Sequence, residues 1–302
     1  SQEEQRATAI EPRQAIETYR HLRMLLIALP VFLLMTTFFG GWLLGDFADS
    51  ISANYATPLR DIFVGVLVAI GSCLIVYNGR PVEELALNVA GFYAMFVAFV
   101  PYSLTDVLAG KTELTGQELA SAEAAAHELA KVLPVILTSL FVIAAVFIGV
   151  EWRSGLLKRH VDENATKAER FMFIATLGLG TGFLILLAIT GLMGTYWGVH
   201  MIAAILMIVG LATAVASHRS EPGINSTPKI ASQYRAILWS MVAVGVALGY
   251  ELAFGWPFEN AVAYIEWAAI ILFTWYWVAE TVRQEHLIKI DAAVEEPRVG
   301  DG

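Results

Sequence analysis

Ionisable side chains within or beside long apolar stretches are the residues of this chain most able to do chemistry. They are Arg60 and Asp61 at the start of one stretch, His200 and Glu266 near the start of two others, and Glu251 near the end of another. A charge is costly inside a bilayer, so such groups mark ligand, ion or proton sites. An arginine fork matches a phosphate or a carboxylate through two parallel hydrogen bonds. We therefore interpret these five side chains as one candidate ligand-binding site.

The composition indicates which kind of structural element carries these side chains. Hydrophobic residues make up 57% of the 302 residues and charged residues only 16%, with a net charge of -9. A soluble domain carries roughly a quarter charged residues, and apolar runs of about 18 or more residues indicate transmembrane helices. We predict an all-α polytopic membrane protein with eight spans, at residues 24–44, 61–77, 82–100, 132–150, 171–193, 199–216, 236–254 and 260–280.

The distribution of Lys and Arg predicts the orientation. Sixteen of the nineteen basic residues fall in the N-terminal segment, the C-terminal tail and the loops on their side of the membrane. Positive charge is retained on the cytoplasmic side, so we expect a plasma (inner) membrane protein with both termini cytoplasmic. This orientation places the five candidate residues toward the outer face.

The predicted spans divide the chain into five parts. We assign a cytoplasmic N-terminal segment (1–23), a six-span membrane part (24–216), a flexible cytoplasmic linker (217–235), a two-span hairpin (236–281) and a cytoplasmic tail (282–302). Between spans three and four, the stretch TGQELASAEAAAHELAK has high helix propensity. It predicts a short extracytoplasmic helix.

Small residues four apart recur in several spans and let helix backbones approach closely. The pairs are Gly41 with Gly45, Gly178 with Gly182, and Gly245 with Gly249. Their first interpretation is packing within the chain, and the alternative is a dimer face.

The reactive residue types exclude several cofactors. Cys73 is the single cysteine, so an internal disulfide and a Cys-based metal cluster are excluded. No lysine falls inside a predicted span, which excludes a retinal Schiff base. His200 is the only histidine inside a predicted span, so a bis-histidine haem site is excluded, and a single axial haem or pigment ligand remains an alternative to a hydrogen-bonded histidine. We predict no cofactor and no metal.

Three stretches carry a resemblance to a known group of proteins. RDIFVGVLVAIG, NVAGFYAMFVAFVP and YIEWAAIILFTWYWVAET resemble segments of uncharacterised bacterial multi-pass membrane proteins and, more remotely, of DRAM/Frag-type proteins. The resemblance implies a multi-pass membrane protein and assigns no catalytic residue.

A second, fainter resemblance is to the CREST membrane hydrolases. Ser52 and Asp61 match part of their first motif, but Ala56 stands where that motif has histidine, and the pair of late histidines is absent. Zinc catalysis needs about three fixed protein ligands, so a metal-dependent hydrolase is a disfavoured alternative.

The function predicted from these features is non-catalytic. We expect binding of a membrane lipid or a small ligand through a polar cavity in the outer half, or a role as a subunit of a membrane complex. The expected partners are lipid and a membrane-protein partner or a second copy of the chain, not nucleic acid. A secondary transporter with Glu266 as its coupling residue is the alternative.

Overall fold

The computed structural model describes residues 2–45, 47, 50–111, 115–154, 166–218, 228–254 and 260–295. This part of the chain is all-helical, as predicted. A 3-10 turn spans Ser52–Ala56, which we call the 52–56 turn. The α-helices are α1 (Gln2–Leu44), α2 (Arg60–Val76), α3 (Pro81–Phe99), α4 (Tyr102–Leu108), α5 (Gly116–Ser154), α6 (Lys167–Leu192), α7 (Val199–Ser217), α8 (Pro228–Phe254) and α9 (Ala261–Glu295).

Seven of the described helices are long and apolar enough to cross a membrane. They are α1, α3, α5, α6, α7, α8 and α9, through the segments Ile16–Leu44, Pro81–Phe99, Leu119–Val150, Glu169–Leu192, Val199–Ser217, Ile230–Tyr250 and Ala261–His286. The chain is therefore a multi-pass membrane protein. Helix α2 is as apolar but has only 17 residues, at the lower limit of roughly 17–25 residues for a spanning helix.

Two helix starts follow directly from the local sequence. Helix α3 begins with Pro81, whose missing N–H is not needed there, and the Glu83 carboxylate accepts from the Arg80 N–H at 3.4 Å. At the start of α6, Thr166 and Glu169 form a reciprocal capping box with bonds of 2.7 and 3.2 Å. These bonds satisfy backbone donors that a helix start leaves unpaired.

Helix α3 lies at the centre of the bundle, between α2 and α7. Glycines let these three helices approach closely. A Cβ added to Gly91 would lie 2.5 Å from the carbonyl oxygen of Gly71, and one added to Gly210 would lie 2.9 Å from that of Ala86. This backbone contact fixes α2, α3 and α7 against one another.

Of the glycine pairs predicted to pack within the chain, Gly178 with Gly182 and Gly245 with Gly249 do not do so in the described residues. A Cβ added to Gly45, Gly178, Gly182, Gly245 or Gly249 would meet no atom within 4 Å. The dimer-face interpretation of these positions stays a prediction. Packing instead uses single glycines of α2, α3 and α7, which carry no spacing motif.

Two segments that were predicted to be separate from the spans are continuous with spanning helices. The N-terminal segment is the first part of α1, and the Ala- and Glu-rich stretch between spans three and four is the first part of α5. A separate short helix, α4, precedes that stretch. At the other end of the chain, α9 extends to Glu295.

Candidate functional site

Glu266 lies in the second turn of α9 and contacts the 52–56 turn. Its carboxylate accepts a hydrogen bond from the Ile51 N–H at 2.5 Å and one from the Ser52 hydroxyl at 3.2 Å. Both donors are neutral groups at the start of the turn. The carboxylate therefore ties the loop between α1 and α2 to α9.

Arg60 and Asp61 begin α2, immediately after the same turn. The exposed Arg60 side chain donates to the Tyr55 hydroxyl at 3.0 Å, and its guanidinium carbon lies 4.5 Å from the centroid of the Tyr55 ring. Asp61 is exposed in the first turn of α2, where a negative charge favours the helix dipole. Because Tyr55 and Ser52 belong to one turn, that turn connects Arg60 to Glu266.

His200 makes a different contact. Its side chain is 4% exposed, and Nδ1 donates to the Val100 carbonyl at 2.7 Å. This bond joins the first turn of α7 to the end of α3, as expected of a structural histidine. The side chain of Glu251 lies outside the described part of the chain. The candidate site predicted from the sequence thus comprises two described contacts, one built on the 52–56 turn and one on His200.

A second polar site lies at the opposite end of the bundle and was not predicted. Three buried ionisable side chains converge there: Glu83 from the start of α3, His218 immediately after α7, and Glu280 from α9. Their exposed fractions are 4%, 0% and 1%. We call them the Glu83–His218–Glu280 cluster.

His218 lies between the two carboxylates of the cluster. Its Nδ1 is 3.0 Å from the Ala214 carbonyl oxygen, which only accepts, so Nδ1 carries a hydrogen. Its Nε2 lies 3.5 Å from Glu83 Oε1 and 3.4 Å from Glu280 Oε2. The ring stacks on Tyr234 at a centroid distance of 5.0 Å. The imidazole is therefore fixed with Nε2 facing two carboxylate oxygens.

Glu280 has several hydrogen-bond donors. Arg283 donates to both carboxylate oxygens at 2.9 and 2.6 Å, the Tyr234 hydroxyl donates at 2.5 Å, and the Gln284 amide donates at 2.9 Å. A two-bond arginine–carboxylate pair of this kind is stronger and more specific than a single bond. Glu280 is thus held by donors from α8 and from its own helix.

Glu83 has fewer strong donors. The Tyr276 hydroxyl donates to its Oε1 at 3.1 Å, and the longer bond from the Arg80 N–H reaches its other oxygen. Of the two carboxylates that face His218, Glu83 is therefore less compensated by positive charge.

The surroundings favour the protonated form of His218. Burial by itself would lower the pKa of His218, but the Glu280 carboxylate 3.4 Å from Nε2 and the charge of Glu83 outweigh burial and raise the pKa. Its position at the C-terminus of α7 acts in the same direction. The described residues contain no group of three or more His, Cys, Asp or Glu arranged to hold a metal ion. The two carboxylate oxygens that face His218 Nε2 therefore favour a proton on that nitrogen.

Sequence reasoning missed this cluster for a physical reason. Glu83 and Glu280 lie at the ends of predicted spans, where a charge is unremarkable, and His218 falls in the predicted linker. No local spacing links three residues so far apart in the chain. The one local signal was the spacing of Glu280, Arg283 and Gln284, which places all three on one helix face.

Comparison with known proteins gives no match to a protein-family model, to a curated protein or to a solved structure. The functional argument therefore depends on the geometry of this chain.

Proposed function

We propose that this protein is a proton-linked secondary transporter whose proton site is the Glu83–His218–Glu280 cluster. In this proposal α2 is the eighth span, because its apolar helix packs between α1 and α3. With eight spans, the Lys/Arg distribution supports a plasma-membrane protein with both termini, and with them the cluster, on the cytoplasmic side. The remote DRAM/Frag-type relationship is compatible with this architecture.

The position of His218 Nε2 carries the proposal. When Nε2 holds a proton, the imidazolium pairs with both carboxylates. When it loses the proton, its lone pair faces two negatively charged oxygens at 3.4 and 3.5 Å. The contact then changes from attractive to repulsive. The low dielectric of the interior strengthens the attraction in the protonated form and the repulsion in the deprotonated form.

The cluster joins the elements that a conformational change would have to move. Glu83 begins α3, His218 ends α7, Glu280 belongs to α9, and Tyr234 brings in α8. A ligand shifts a conformational equilibrium when it binds one state more tightly than the other. The proton is such a ligand here, since the protonated cluster holds four helices together.

A charge-movement experiment tests the proposal. Purified full-length protein in liposomes, adsorbed on a solid-supported membrane, is exposed to pH jumps between 8 and 6. We expect a transient current in the native chain and its loss in His218→Phe and in Glu83→Gln. The matched control is His127→Phe, because His127 is exposed on α5. Equal currents in the native chain and His218→Phe would contradict the proposal.

Lipid binding at the outer face is the second candidate. Its support is Arg60, which is exposed at the first turn of α2 and has Tyr55 as its described side-chain partner. A guanidinium there can also bind a phosphate. Native mass spectrometry of gently solubilised protein tests this candidate. Retained phospholipid that is lost in Arg60→Ala and kept in Lys131→Ala supports it, and retention in both variants contradicts it.

A further inference from the structure

Gly79 lies in the short connection between α2 and α3, one residue before the N-cap residue Arg80. Its neighbour in space is Glu83, the member of the Glu83–His218–Glu280 cluster that α3 supplies. A Cβ added to Gly79 would lie 2.7 Å from Glu83 Oε2, 2.9 Å from Cδ and 3.3 Å from Cγ of the same side chain. The outer half of the Glu83 side chain therefore occupies the space that any other residue at position 79 would fill.

The requirement for glycine at position 79 is one of space and not of backbone conformation. Gly79 is not among the glycines of positive φ, so its backbone is not in the left-handed region that favours glycine. The residue before an N-cap is often hydrophobic and packs against the start of the helix. Here a carboxylate takes that place, because position 79 has no side chain.

The buried Glu83 carboxylate is confined on two sides. Beside Gly79, its Oε2 accepts from the Arg80 N–H at 3.4 Å. Its Oε1 accepts from the Tyr276 hydroxyl at 3.1 Å and lies 3.5 Å from His218 Nε2. Because Tyr276 and His218 are already this close, the carboxylate has little room to move toward them. A side chain at position 79 would therefore rotate Glu83 out of its place.

We propose that Gly79 is a positioning residue of the proton site, because the space beside it lets the Glu83 carboxylate face His218 Nε2. The inference rests on the proposed function and deepens it. The attraction between opposite charges falls as their distance grows. The strength with which the cluster holds its proton would thus depend on a residue that has no side chain.

Other charged and titratable groups also act on His218, and Gly79→Ala leaves each of them in the chain. Glu280 and Tyr276 of α9 and Tyr234 of α8 face the imidazole. The groups around these and around Glu83 are Arg283, which donates to Glu280, Arg23 and Tyr77 near both carboxylates, and Arg80 and Glu84, which flank Glu83 in the chain. A changed titration of His218 in Gly79→Ala would therefore report a displaced carboxylate and not a changed number of charges.

An NMR titration of the histidine side chains tests the proposal in the full chain in phosphatidylcholine nanodiscs. The protein carries isotope-labelled histidine, and the His218 signal is identified by its absence in His218→Gln. An opposite charge within a few ångströms shifts a pKa by roughly 1–3. We expect Gly79→Ala to lower the titration midpoint of His218 by about one pH unit, since Glu83 would no longer face Nε2.

Gly65→Ala is the matched control, because a Cβ at Gly65 of α2 would meet no atom within 4 Å. Its His218 midpoint should equal that of the native chain. A second comparison places Gly79→Ala in the Glu83→Gln background. If Gly79 acts through the Glu83 carboxylate, the added methyl group should change the midpoint little once that charge is gone. A general loosening of the connection between α2 and α3 would lower the midpoint in both backgrounds.

A variant that removes the Glu83 side chain keeps the proposal testable if Gly79→Ala does not fold. Glu83→Ala deletes the three atoms that the new Cβ would meet. The double variant Gly79→Ala/Glu83→Ala should therefore fold with the same thermal midpoint as Glu83→Ala. A double variant that fails to fold where Glu83→Ala folds would show that position 79 has another role, and would overturn the proposal.

The outcomes separate the role of Gly79 from the proposed function. A His218 midpoint that is unchanged or raised in Gly79→Ala, or lowered equally in Gly65→Ala, would overturn the role of Gly79. An equal fall in the Glu83→Gln background would also overturn it. The pH-jump current of the native chain decides the transporter by itself. A native chain without current contradicts the transporter even where Gly79→Ala lowers the midpoint of His218.

Discussion

The apolar segment Ala261–His286 of α9 carries one buried or partly buried glutamate near each end, and the two are held in different ways. Glu266 and Glu280 are 14 residues apart, which is about 21 Å along a helix. Glu266 accepts from the neutral Ile51 N–H and the Ser52 hydroxyl. Glu280 accepts from the cationic Arg283 and faces a second ionisable group in His218.

The difference separates a carboxylate that is held by neutral donors from one that is held among charged groups. At Glu266 the donors are fixed dipoles, so the contact holds a loop and changes little while the carboxylate stays ionised. At Glu280 the carboxylate belongs to a set of charges whose sum depends on the proton of His218. Removing one member leaves the others buried without compensation, which costs more than the loss of a neutral hydrogen bond.

Glu280→Gln should have the largest effect on stability. It removes one negative charge and leaves Arg283 and protonated His218 buried beside a neutral amide. Breaking a buried ion pair in this way costs about 3–5 kcal/mol. The apparent free energy of unfolding in mixed micelles, measured by titration with a denaturing detergent, checks this value.

Glu285→Gln is the matched control for that variant, on the same helix. The Glu285 side chain is 43% exposed and lies 3.7 Å from Arg20, and ion pairs at the surface contribute little. If Glu280→Gln is no less stable than Glu285→Gln, the charged surroundings of Glu280 do not stabilise the fold. The contrast with the neutral surroundings of Glu266 would then be wrong.

Glu266→Gln should have a smaller effect. The amide keeps one acceptor oxygen but presents an NH₂ group to the second donor, so either the Ile51 N–H or the Ser52 hydroxyl loses its bond. Leaving a buried donor unpaired costs about 1–3 kcal/mol. The 52–56 turn should also open locally, which hydrogen exchange at Ile51 and Ala53 measures. Unchanged exchange there would show that Glu266 does not hold the turn.

These two glutamates also show how far the sequence could lead. Glu266 was singled out because it lies inside an apolar run, where any carboxylate needs a partner. Its partner, the 52–56 turn, lies more than 200 residues earlier, and no pattern in one sequence connects them. Glu280 was counted only as the end of a span, since a charge at a span end needs no partner.

The fold was more predictable than the sites because hydrophobicity is a property of each segment by itself. Long apolar runs specify helices of spanning length, and the predicted all-α class is confirmed. Packing depends on pairs of segments. The close contact of Gly71 with Gly91 therefore left no signal, whereas the regular pairs Gly178 with Gly182 and Gly245 with Gly249 face open space.

The pH dependence of stability tests the titratable character of the Glu280 end. His218 has a raised pKa in the folded protein, so its contribution is complete below its ordinary pKa of about 6.5. That contribution is lost as pH rises through the higher folded value. The unfolding midpoint of the native chain in nanodiscs should fall over this window, and His218→Gln should flatten the profile.

His127→Gln is the control for the pH profile, because His127 is exposed and its Nδ1 contacts a carbonyl of its own helix. Its profile should follow that of the native chain. If His218→Gln shows the same fall in midpoint with pH as the native chain, another group is responsible and the assignment of the proton to His218 is wrong.

Tyr234→Phe should have the smallest effect of the set. It removes the hydroxyl that donates to Glu280 at 2.5 Å but keeps the ring that stacks on His218. Glu280 retains Arg283 and Gln284 as donors, so we expect the free energy of unfolding to fall by only about 1 kcal/mol. The control is Tyr264→Phe, at an exposed position of α9. A loss as large as that of Glu280→Gln would mean that the hydroxyl, not the charge balance, holds this end of the helix. A small loss would show that the Glu280 end depends on its charges, as a proton-dependent contact must.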